Sequence, residues 1–256
     1  MNQSSGVTPE ALDVSQYSIS SIRYYEAVYG EDFVSPGGKE MAMELIQKMD
    51  LKPDARVLDV GCGLGGSAFV MAQDFNLVVD GIDLSQNMLA LASQKLTKYG
   101  LSDRVTLEHG DCLELDRQNR YDAVYSRDVF LHIENKSKLF SVLRKSLRPG
   151  GRLLFTDYSC GPKPWHDDFA AYVEGRGYTL HALPEYAELV STAGFERVEH
   201  VEMTQRFIQI LKSDLEKITD LPLEESIRSK LKKSWRGKLS RAKSGDHRWG
   251  LFSAVK

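Results

Sequence analysis

The sequence has few cysteines and no apolar run long enough to cross a membrane. Its three cysteines, Cys62, Cys112 and Cys160, lack the spacing of a metal site, and their odd number leaves a thiol without a disulfide partner. No stretch approaches the ~18 apolar residues of a transmembrane helix. Residues 1–12 lack the charged start and apolar core of a signal peptide. We therefore expect reduced, buried thiols in a cytoplasmic protein with no membrane partner.

The sequence also lacks the excess of positive charge that nucleic-acid-binding proteins usually carry. Its net charge is -3, so we expect no nucleic-acid partner. The basic residues are unevenly placed, however, because Arg228 to Arg248 contains nine Lys or Arg and one acid, Asp246. We interpret most of that segment as the solvated face of an amphipathic helix. The length of 256 residues suits one α/β domain with a modest cap, and we expect a monomer.

The chain does contain an alternation of strand-like and helix-like segments, which is typical of a parallel sheet with helices on both faces. The predicted strands are Arg56–Val60, Leu77–Ile82, Val105–Glu108, Tyr121–Tyr125 and Arg152–Thr156. The predicted helices between them are Ser67–Asp74, Gln86–Tyr99 and Lys136–Leu147. The RPGG segment, Arg148–Gly151, predicts a turn into the last of these strands.

The flanking regions are helical before this alternation and less regular after it. The elements predicted before it are a helix at Ser15–Tyr29, a turn at Val34–Gly38 and a helix at Glu40–Met49. The elements predicted after it are a strand at Arg197–Met203, one or two helices within 205–243, and a final edge strand at Arg248–Val255.

The strongest local signal is the segment VLDVGCGLGG, Val57–Gly66, which predicts a strand, a glycine turn and a helix start. Gly61, Gly63 and Gly66 have the GxGxxG spacing, which dinucleotide-binding proteins share, so the spacing alone does not identify the ligand. Asp59 ends the strand, where a carboxylate would repel a pyrophosphate. The same carboxylate would favour the cationic methionine end of S-adenosylmethionine.

Two more acids follow the next two predicted strands. Asp83, in GIDLS, can accept hydrogen bonds from both hydroxyls of a ribose, and Asp111, in HGDCL, closes the third strand, where an adenine would lie. Because parallel strands end at one edge of the sheet, three acids at successive ends match ligand binding there. The alternative is that Asp59 and Asp83 cap strand ends and Asp111 forms a turn.

This pattern resembles the class I methyltransferases over Arg56–Tyr158, where hhDxGxGxG and the acid after the second strand are the defining features. The resemblance implies an α/β fold with a Rossmann-like, seven-stranded sheet and helices on both faces. It also implies S-adenosylmethionine as the cofactor, with no metal.

A second group of residues lies in YSRDVFLHI, Tyr125–Ile133, after the fourth predicted strand. Asp128 and His132 are four residues apart, so a helical turn would place them on one face. Methyl transfer to an amine requires a deprotonated, aligned nitrogen. His132 is suited to proton handling, and Asp128 could hydrogen-bond the amine and balance its charge. The alternative is a helix-capping aspartate and a core histidine.

Further motifs lie outside the glycine loop, and several lie outside the sheet. They are QY (Gln16–Tyr17), YE (Tyr25–Glu26), SPGG (Ser35–Gly38), GIDLS, SRDVFLH, TDY (Thr156–Tyr158), YVEGRGYTL (Tyr172–Leu180) and RWG (Arg248–Gly250). With these motifs the chain resembles, nearly from end to end, the phosphoethanolamine N-methyltransferases of plants, nematodes and malaria parasites.

That resemblance implies roles for individual residues. In the family an N-terminal tyrosine and the histidine after the fourth strand form a lid latch and proton-handling dyad, here Tyr17 and His132, with Asp128 beside the amine. The cofactor contacts that it implies are Tyr25, Ser35, Asp59, Gly61, Gly63, Asp83, Leu84, Asp111, Cys112 and Arg127. The substrate contacts that it implies, besides Asp128, are Tyr158, Tyr172, Arg176, Tyr178 and Lys238.

The resemblance implies that the substrate is phosphoethanolamine or its mono- and dimethyl forms, with phosphocholine as the product. We expect residues 1–50 to form a helical lid, 51–160 the cofactor-binding core, and 161–256 the rest of the sheet with a cap that binds the phosphobase. Other interpretations stay open: a methyltransferase for another small amine or a sterol, a nucleotide-dependent oxidoreductase, or a non-catalytic methyltransferase-like module. The carboxylate of Asp59 argues against the oxidoreductase, because it would repel the pyrophosphate of a dinucleotide.

Overall fold

The computed structural model describes residues 13–14 and 17–256. Its helices are α1 (Ile19–Tyr29), α2 (Gly38–Lys48), α3 (Gly66–Phe75), α4 (Gln86–Tyr99), α5 (Lys136–Ser146), α6 (Asp167–Arg176), α7 (Leu183–Thr192), α8 (Thr204–Asp220) and α9 (Glu225–Ser244). Its strands are β1 (Arg56–Val60), β2 (Val78–Asp83), β3 (Val105–His109), β4 (Tyr121–Arg127), β5 (Leu147–Cys160), β6 (Glu196–Glu202) and β7 (His247–Val255). Two short 3-10 helices lie at Cys112–Glu114 and Phe130–His132.

The strands form one seven-stranded sheet in the order β3-β2-β1-β4-β5-β7-β6. Strands β1 to β5 are parallel, whereas β7 is antiparallel to both β5 and β6. The chain order reverses at β1, whose neighbours are β2 and β4, and ligands bind at such switch points in open α/β sheets. The carboxyl ends of β1, β2 and β4 therefore meet where the sequence predicts a ligand.

The sheet is covered by apolar side chains on both faces, which gives two separate cores. Successive residues of a strand point to opposite faces, and Val57 and Leu58 on β1 accordingly belong to different cores. The first core includes Met41 of α2 and Trp235 of α9. The second includes Phe140 of α5 and other aromatic residues. This two-sided burial is seen in β1, in which four of the five residues are buried.

Two predictions about the end of the chain and its turns were wrong. The last strand, β7, is not an edge strand, since it lies between β5 and β6. Its run of buried residues suits an interior position, and the largely exposed β6 is the edge. The RPGG segment, Arg148–Gly151, lies within β5, where Gly150 has a φ of 75° and the register with β4 shifts. Helices α6 and α7 were not predicted.

Helices α1 and α2 of the N-terminal part of the chain both contribute residues to the first core. Helix α1 begins at Ile19, after Ser18, whose hydroxyl accepts a hydrogen bond from the amide of Ser21. Three predictions fall on residues outside the described part of the chain. They are the absence of a signal peptide at residues 1–12, the start of the first helix at Ser15, and Gln16 of the QY motif. The cysteines are buried and free, as expected.

Two features are absent from the described part of the chain. Within residues 13–14 and 17–256, no helix is both long enough and apolar enough to cross a membrane. Nor do three or more His, Cys, Asp or Glu of these residues form a group that could hold a metal ion.

The glycine loop leads to a stability prediction for Gly61→Ala, with Gly100→Ala as its matched control. Both glycines have positive φ, 70° and 66°, so alanine costs about 1–2 kcal/mol at either position. A Cβ at Gly61 would lie 2.3 Å from Val129 Cγ2, whereas one at Gly100 meets nothing within 4 Å. We expect G61A to lose a further 1–3 kcal/mol, roughly, in urea unfolding without ligand. Equal losses would contradict the clash.

Candidate active site

One cavity at the carboxyl edge of the sheet brings together almost all of the predicted site residues. We divide them into three groups. The loop group is Tyr25, Ser35, Gly61, Gly63, Asp83, Leu84, Asp111, Cys112 and Arg127. The dyad group is Tyr17, Asp128 and His132. The basic group is Tyr158, Tyr172, Arg176, Tyr178 and Lys238. Asp59 is the predicted residue that the structure leaves out of the lining.

In the loop group, the carboxylate of Asp83 fixes the glycine loop. Its Oδ2 accepts from the amide of Gly63 at 2.7 Å and its Oδ1 from the amide of Ser85 at 2.8 Å. The amide of Gly61 donates to the carbonyl of Ile82 at 2.8 Å, which holds the loop on β2. Burial raises the pKa of Asp83, and the two amides oppose that rise. Each carboxylate oxygen keeps a further lone pair, so Asp83 can still accept hydroxyl hydrogens.

Asp59 lies beneath the loop instead of on the cavity surface. It is 2% exposed, and its Oδ2 has no hydrogen-bond partner among the residues that the structure describes. Burial raises the pKa of Asp59 to about 7, the neighbouring Asp83 adds to the rise, and Arg127 opposes it. Any effect of Asp59 on a ligand therefore acts through its charge, and its cofactor role stays a prediction.

Two other members of the loop group also have structural roles. The Oδ1 of Asp111 accepts from the amide of Leu113 at 2.8 Å, so Asp111 caps a 3-10 helix, as the turn interpretation expected, while also lining the cavity. The guanidinium of Arg127 donates to the carbonyls of Pro36 at 2.6 Å and Gly38 at 3.0 Å. Arg127 thereby holds the SPGG turn, and with it Ser35, against the end of β4.

The predicted helical turn over Asp128 and His132 does not form. Asp128 has a φ of 56°, and the 3-10 helix begins only at Phe130. The Oδ1 of Asp128 accepts from Trp249 Nε1 at 2.7 Å and from Thr156 Oγ1 at 3.2 Å. Its Oδ2 is buried without a partner in the described part of the chain. Both residues line the cavity as expected, but the local conformation predicted from their spacing is wrong.

His132 and Tyr17 form a hydrogen-bonded pair, with Tyr17 Oη 3.3 Å from His132 Nε2. Burial, together with the charges of the nearby cations Arg176 and Lys136, lowers the pKa of His132 to about 4. Burial raises the pKa of Tyr17, and Asp83 adds to that rise. At neutral pH the tyrosine hydroxyl is therefore protonated and donates to a neutral imidazole.

The basic group combines two cations with three phenols. Burial lowers the pKa of Lys238 to about 8, and the charge of Arg176 contributes. The Lys238 ammonium lies 5.1 Å from the ring centre of Trp235 and 6.0 Å from that of Tyr158. The described residues give it no carboxylate within salt-bridge distance, so this charge is available to an anionic ligand. Tyr178 packs edge-on against His132 at 5.1 Å, which joins the basic and dyad groups.

The structure adds residues that sequence reasoning missed. Trp249 and Thr156 orient Asp128; both lie in quoted motifs, RWG and TDY, but nothing in those motifs indicated the contact. Arg241 stacks 4.0 Å from the ring centre of Tyr172, and its position one turn after Lys238 could have been noticed. Lys136 is buried near His132 at the start of α5.

Comparison with known protein sequences gives matches over nearly the whole chain. A family profile described as "Methyltransferase domain" matches residues 51–221. Phosphoethanolamine N-methyltransferase 3 of Arabidopsis thaliana is 43% identical over 95% of this chain and 51% of the plant protein. The phosphoethanolamine N-methyltransferase of Plasmodium falciparum is 32% identical over 96% of this chain and 95% of that protein. The chain spans about half the length of the plant relatives.

Solved structures that match this chain are also methyltransferases. Phosphoethanolamine N-methyltransferase 2 of Haemonchus contortus, in complex with phosphomonomethylethanolamine and S-adenosylhomocysteine, matches with a TM-score of 0.93 and 36% identity, over 96% of this chain and 59% of that one. The geranyl diphosphate C-methyltransferase of Streptomyces coelicolor, 18% identical with a TM-score of 0.71 over 84% of this chain and 75% of that one, shows likeness of fold alone. The predicted class I methyltransferase fold is thereby confirmed.

The buried carboxyl of Asp59 leads to a prediction for Asp59→Asn. Because the folded-state pKa lies above the ordinary value of 3.8, the native protein loses stability as pH rises from 3.8 to 7, and the loss is complete above that. Asparagine stays neutral throughout. We expect D59N to exceed the wild type in unfolding free energy by roughly 2–4 kcal/mol at pH 8, and by much less at pH 4.5, without ligand.

The control for this experiment is Asp116→Asn, since the Asp116 side chain is 84% exposed. We expect D116N to differ from the wild type by the same small amount at both pH values in urea unfolding. If the difference in unfolding free energy between D59N and the wild type is the same at pH 4.5 and at pH 8, ionisation of Asp59 does not destabilise the native protein.

Proposed function

Because the chain belongs to the phosphoethanolamine N-methyltransferase family, we propose that it transfers methyl groups from S-adenosylmethionine to the amine of phosphoethanolamine, of its mono- and dimethyl forms, or of all three. Methylation of the dimethyl form gives phosphocholine. The observation that carries this proposal is a single cavity lined by the loop, dyad and basic groups together. Such a cavity offers one region for the methyl donor, one for an amine and one for a phosphate.

The loop group fits the cofactor. Gly63 has a φ of 54°, and a Cβ there would enter the space in front of Val34, so the absent side chain leaves room beside the loop. Asp83 would accept the ribose hydroxyls, and the buried charge of Asp59 would favour the cationic methionine end. When bound, S-adenosylmethionine supplies an electrophilic methyl group on a sulfonium. In the same proposal residues 1–50 act as the lid and carry Tyr17.

The dyad group handles the amine. The substrate enters as an ammonium and has to lose a proton before its nitrogen can attack. The Tyr17 hydroxyl accepts that proton as it passes its own to Nε2 of His132, which is neutral and therefore able to receive it. The Oδ2 of Asp128 accepts a remaining N–H and balances the charge that grows on the nitrogen. Trp249 keeps this carboxylate in place through Oδ1.

The basic group holds the phosphate. Arg176 and Lys238 supply charge, and the phenols of Tyr158, Tyr172 and Tyr178 supply uncharged donors. A dianion beside Lys238 would favour its charged form, so the depressed pKa of the free protein does not prevent binding. Two fixed cations distinguish a phosphobase from a neutral amino-alcohol. They also argue against a sterol, for which an apolar cap would be expected, and against another small amine without an anionic group.

The direct test is transfer of radiolabelled methyl from S-adenosylmethionine to the three phosphobases, with ethanolamine as the phosphate-free control. We expect incorporation into at least one phosphobase and far less into ethanolamine. S-adenosylhomocysteine should raise the melting temperature, because a ligand of the native state stabilises it, and NADH should not. Stabilisation by NADH alone would favour an oxidoreductase, and equal use of ethanolamine would favour a general amine methyltransferase.

The role of Lys238 is tested by Lys238→Met, with Lys233→Met as its control on the exposed side of α9. A charge-assisted contact to phosphate contributes roughly 1.5–3 kcal/mol, so we expect KM for phosphoethanolamine to rise about 10–100-fold with kcat little changed. K233M should stay within about twofold of the wild type. If K238M impairs methylation of ethanolamine equally, Lys238 is not a phosphate ligand.

A further inference from the structure

Lys136 is a buried cation in an unfavourable place. It is the first residue of α5 and only 3% exposed. The positive end of a helix dipole disfavours a cation, and removal of an ammonium from water costs free energy unless hydrogen bonds replace the lost hydration. Burial accordingly lowers the pKa of Lys136 to about 8, although Asp157 opposes the shift. The contacts of this side chain have to offset both penalties.

Those contacts are two backbone carbonyls and a ring face, and the carboxylate of Asp157 adds a longer-range attraction. The Lys136 ammonium donates to the carbonyl of Ile133 at 2.5 Å and to that of Thr179 at 3.2 Å. It lies 5.6 Å from the ring centre of Tyr186. The Tyr186 hydroxyl donates to Asp157 at 2.6 Å, so the balancing carboxylate is itself held in place.

The two carbonyls belong to different parts of the site. Ile133 directly follows His132 of the dyad group, and Thr179 directly follows Tyr178 of the basic group. The amide of Thr179 also donates to the carbonyl of Leu131 at 2.8 Å, so the two segments are joined on both sides of His132. The buried Lys136 ammonium therefore links the segment of His132, the proposed proton acceptor, to the segment of Tyr178, a proposed phosphate contact.

The ring of His132 depends on this arrangement. Its Nδ1 is buried without a hydrogen-bond partner in the described part of the chain. Among residues 13–14 and 17–256, no carboxylate accepts a hydrogen bond from Nδ1, although such a second hydrogen bond often orients the imidazole in proton-transfer sites. Its position is set by the backbone of residues 130–133 and by its neighbours Tyr17 and Tyr178.

We propose that Lys136 is a positioning residue that holds His132 and Tyr178 in register and so couples phosphate binding to proton transfer. The proposal rests on the proposed function, since it assigns the reaction to the same cavity. Lys136 is not one of the described residues that line the cavity. It therefore acts on the site through the two carbonyls to which it donates. Loss of the ammonium would let the His132 and Tyr178 segments move apart without removing any group that contacts the ligands.

The test is a double-mutant cycle with Lys136→Met and His132→Ala, assayed by methyl transfer to phosphoethanolamine. Methionine keeps much of the side-chain volume but neither charge nor donors. Misplacement of a reacting group by about 1 Å can cost roughly 100-fold, so we expect K136M to lower kcat about 10–100-fold. In the H132A background the same change should cost less than about threefold, because non-additivity marks groups that act together. Binding of S-adenosylhomocysteine, measured by calorimetry, should stay within about twofold.

Lys138→Met is the control, because Lys138 lies on the same helix, is exposed, and pairs only with Glu114 among the described residues. Wild-type kcat in folded K136M, or an equal fall of kcat in both backgrounds, would overturn the proposal. If K136M is unfolded at the assay temperature, Lys136→Gln, which removes the charge but keeps an N–H donor, is put through the same cycle with the same criteria. Absence of turnover in the wild type would instead overturn the proposed function.

Discussion

The carboxylate of Asp128 is the point on which the geometry of the site depends, because three strands meet at it. Asp128 follows β4 directly, its amide donates to Thr156 on β5 at 2.8 Å, and its Oδ1 accepts from Trp249 on β7. A residue other than glycine at positive φ costs roughly 1–3 kcal/mol, and these two neighbouring strands hold Asp128 in that conformation. The chain then turns into the segment that carries His132. The path of the chain into the His132 segment thus depends on hydrogen bonds made at the carboxyl ends of the parallel strands.

Two ionisable groups at or beside the cavity are costly to the free protein in their charged forms. Burial brings the pKa of Asp59 up to about 7 and that of Lys238 down to about 8. Each charge is therefore costly in the free protein and would be stabilised by a ligand of opposite sign. The loop group contains two acids, Asp83 and Asp111, and one cation, Arg127, whereas the basic group contains two cations and no acid. The two regions of the cavity therefore differ in the sign of their net charge. Under the proposed function, that difference would favour one orientation of the phosphobase.

The sequence identifies the members of the site better than the contacts between them. Gly61 and Asp83 could be predicted because each follows a strand at a fixed distance, and such local patterns survive in a single sequence. The positive φ of Asp128 could not, since its spacing to His132 favours a helical turn and its partner Trp249 lies 121 residues further along the chain. The interior position of β7 and the contact of Lys136 with Thr179 likewise depend on pairing between distant segments. The alternating strands and helices, by contrast, made the sheet predictable.

The place of β7 in the sheet also determines when this site can exist during synthesis. Strand β6 pairs with β7 and not with β5, so β6 has no neighbour while β7 is still inside the ribosome. A domain generally folds as a unit. The amide of Gly61 needs only β2 for its hydrogen bond, whereas Asp128 has no Trp249 partner until β7 has been made. The complete site therefore depends on β7, the strand that inserts between β5 and β6.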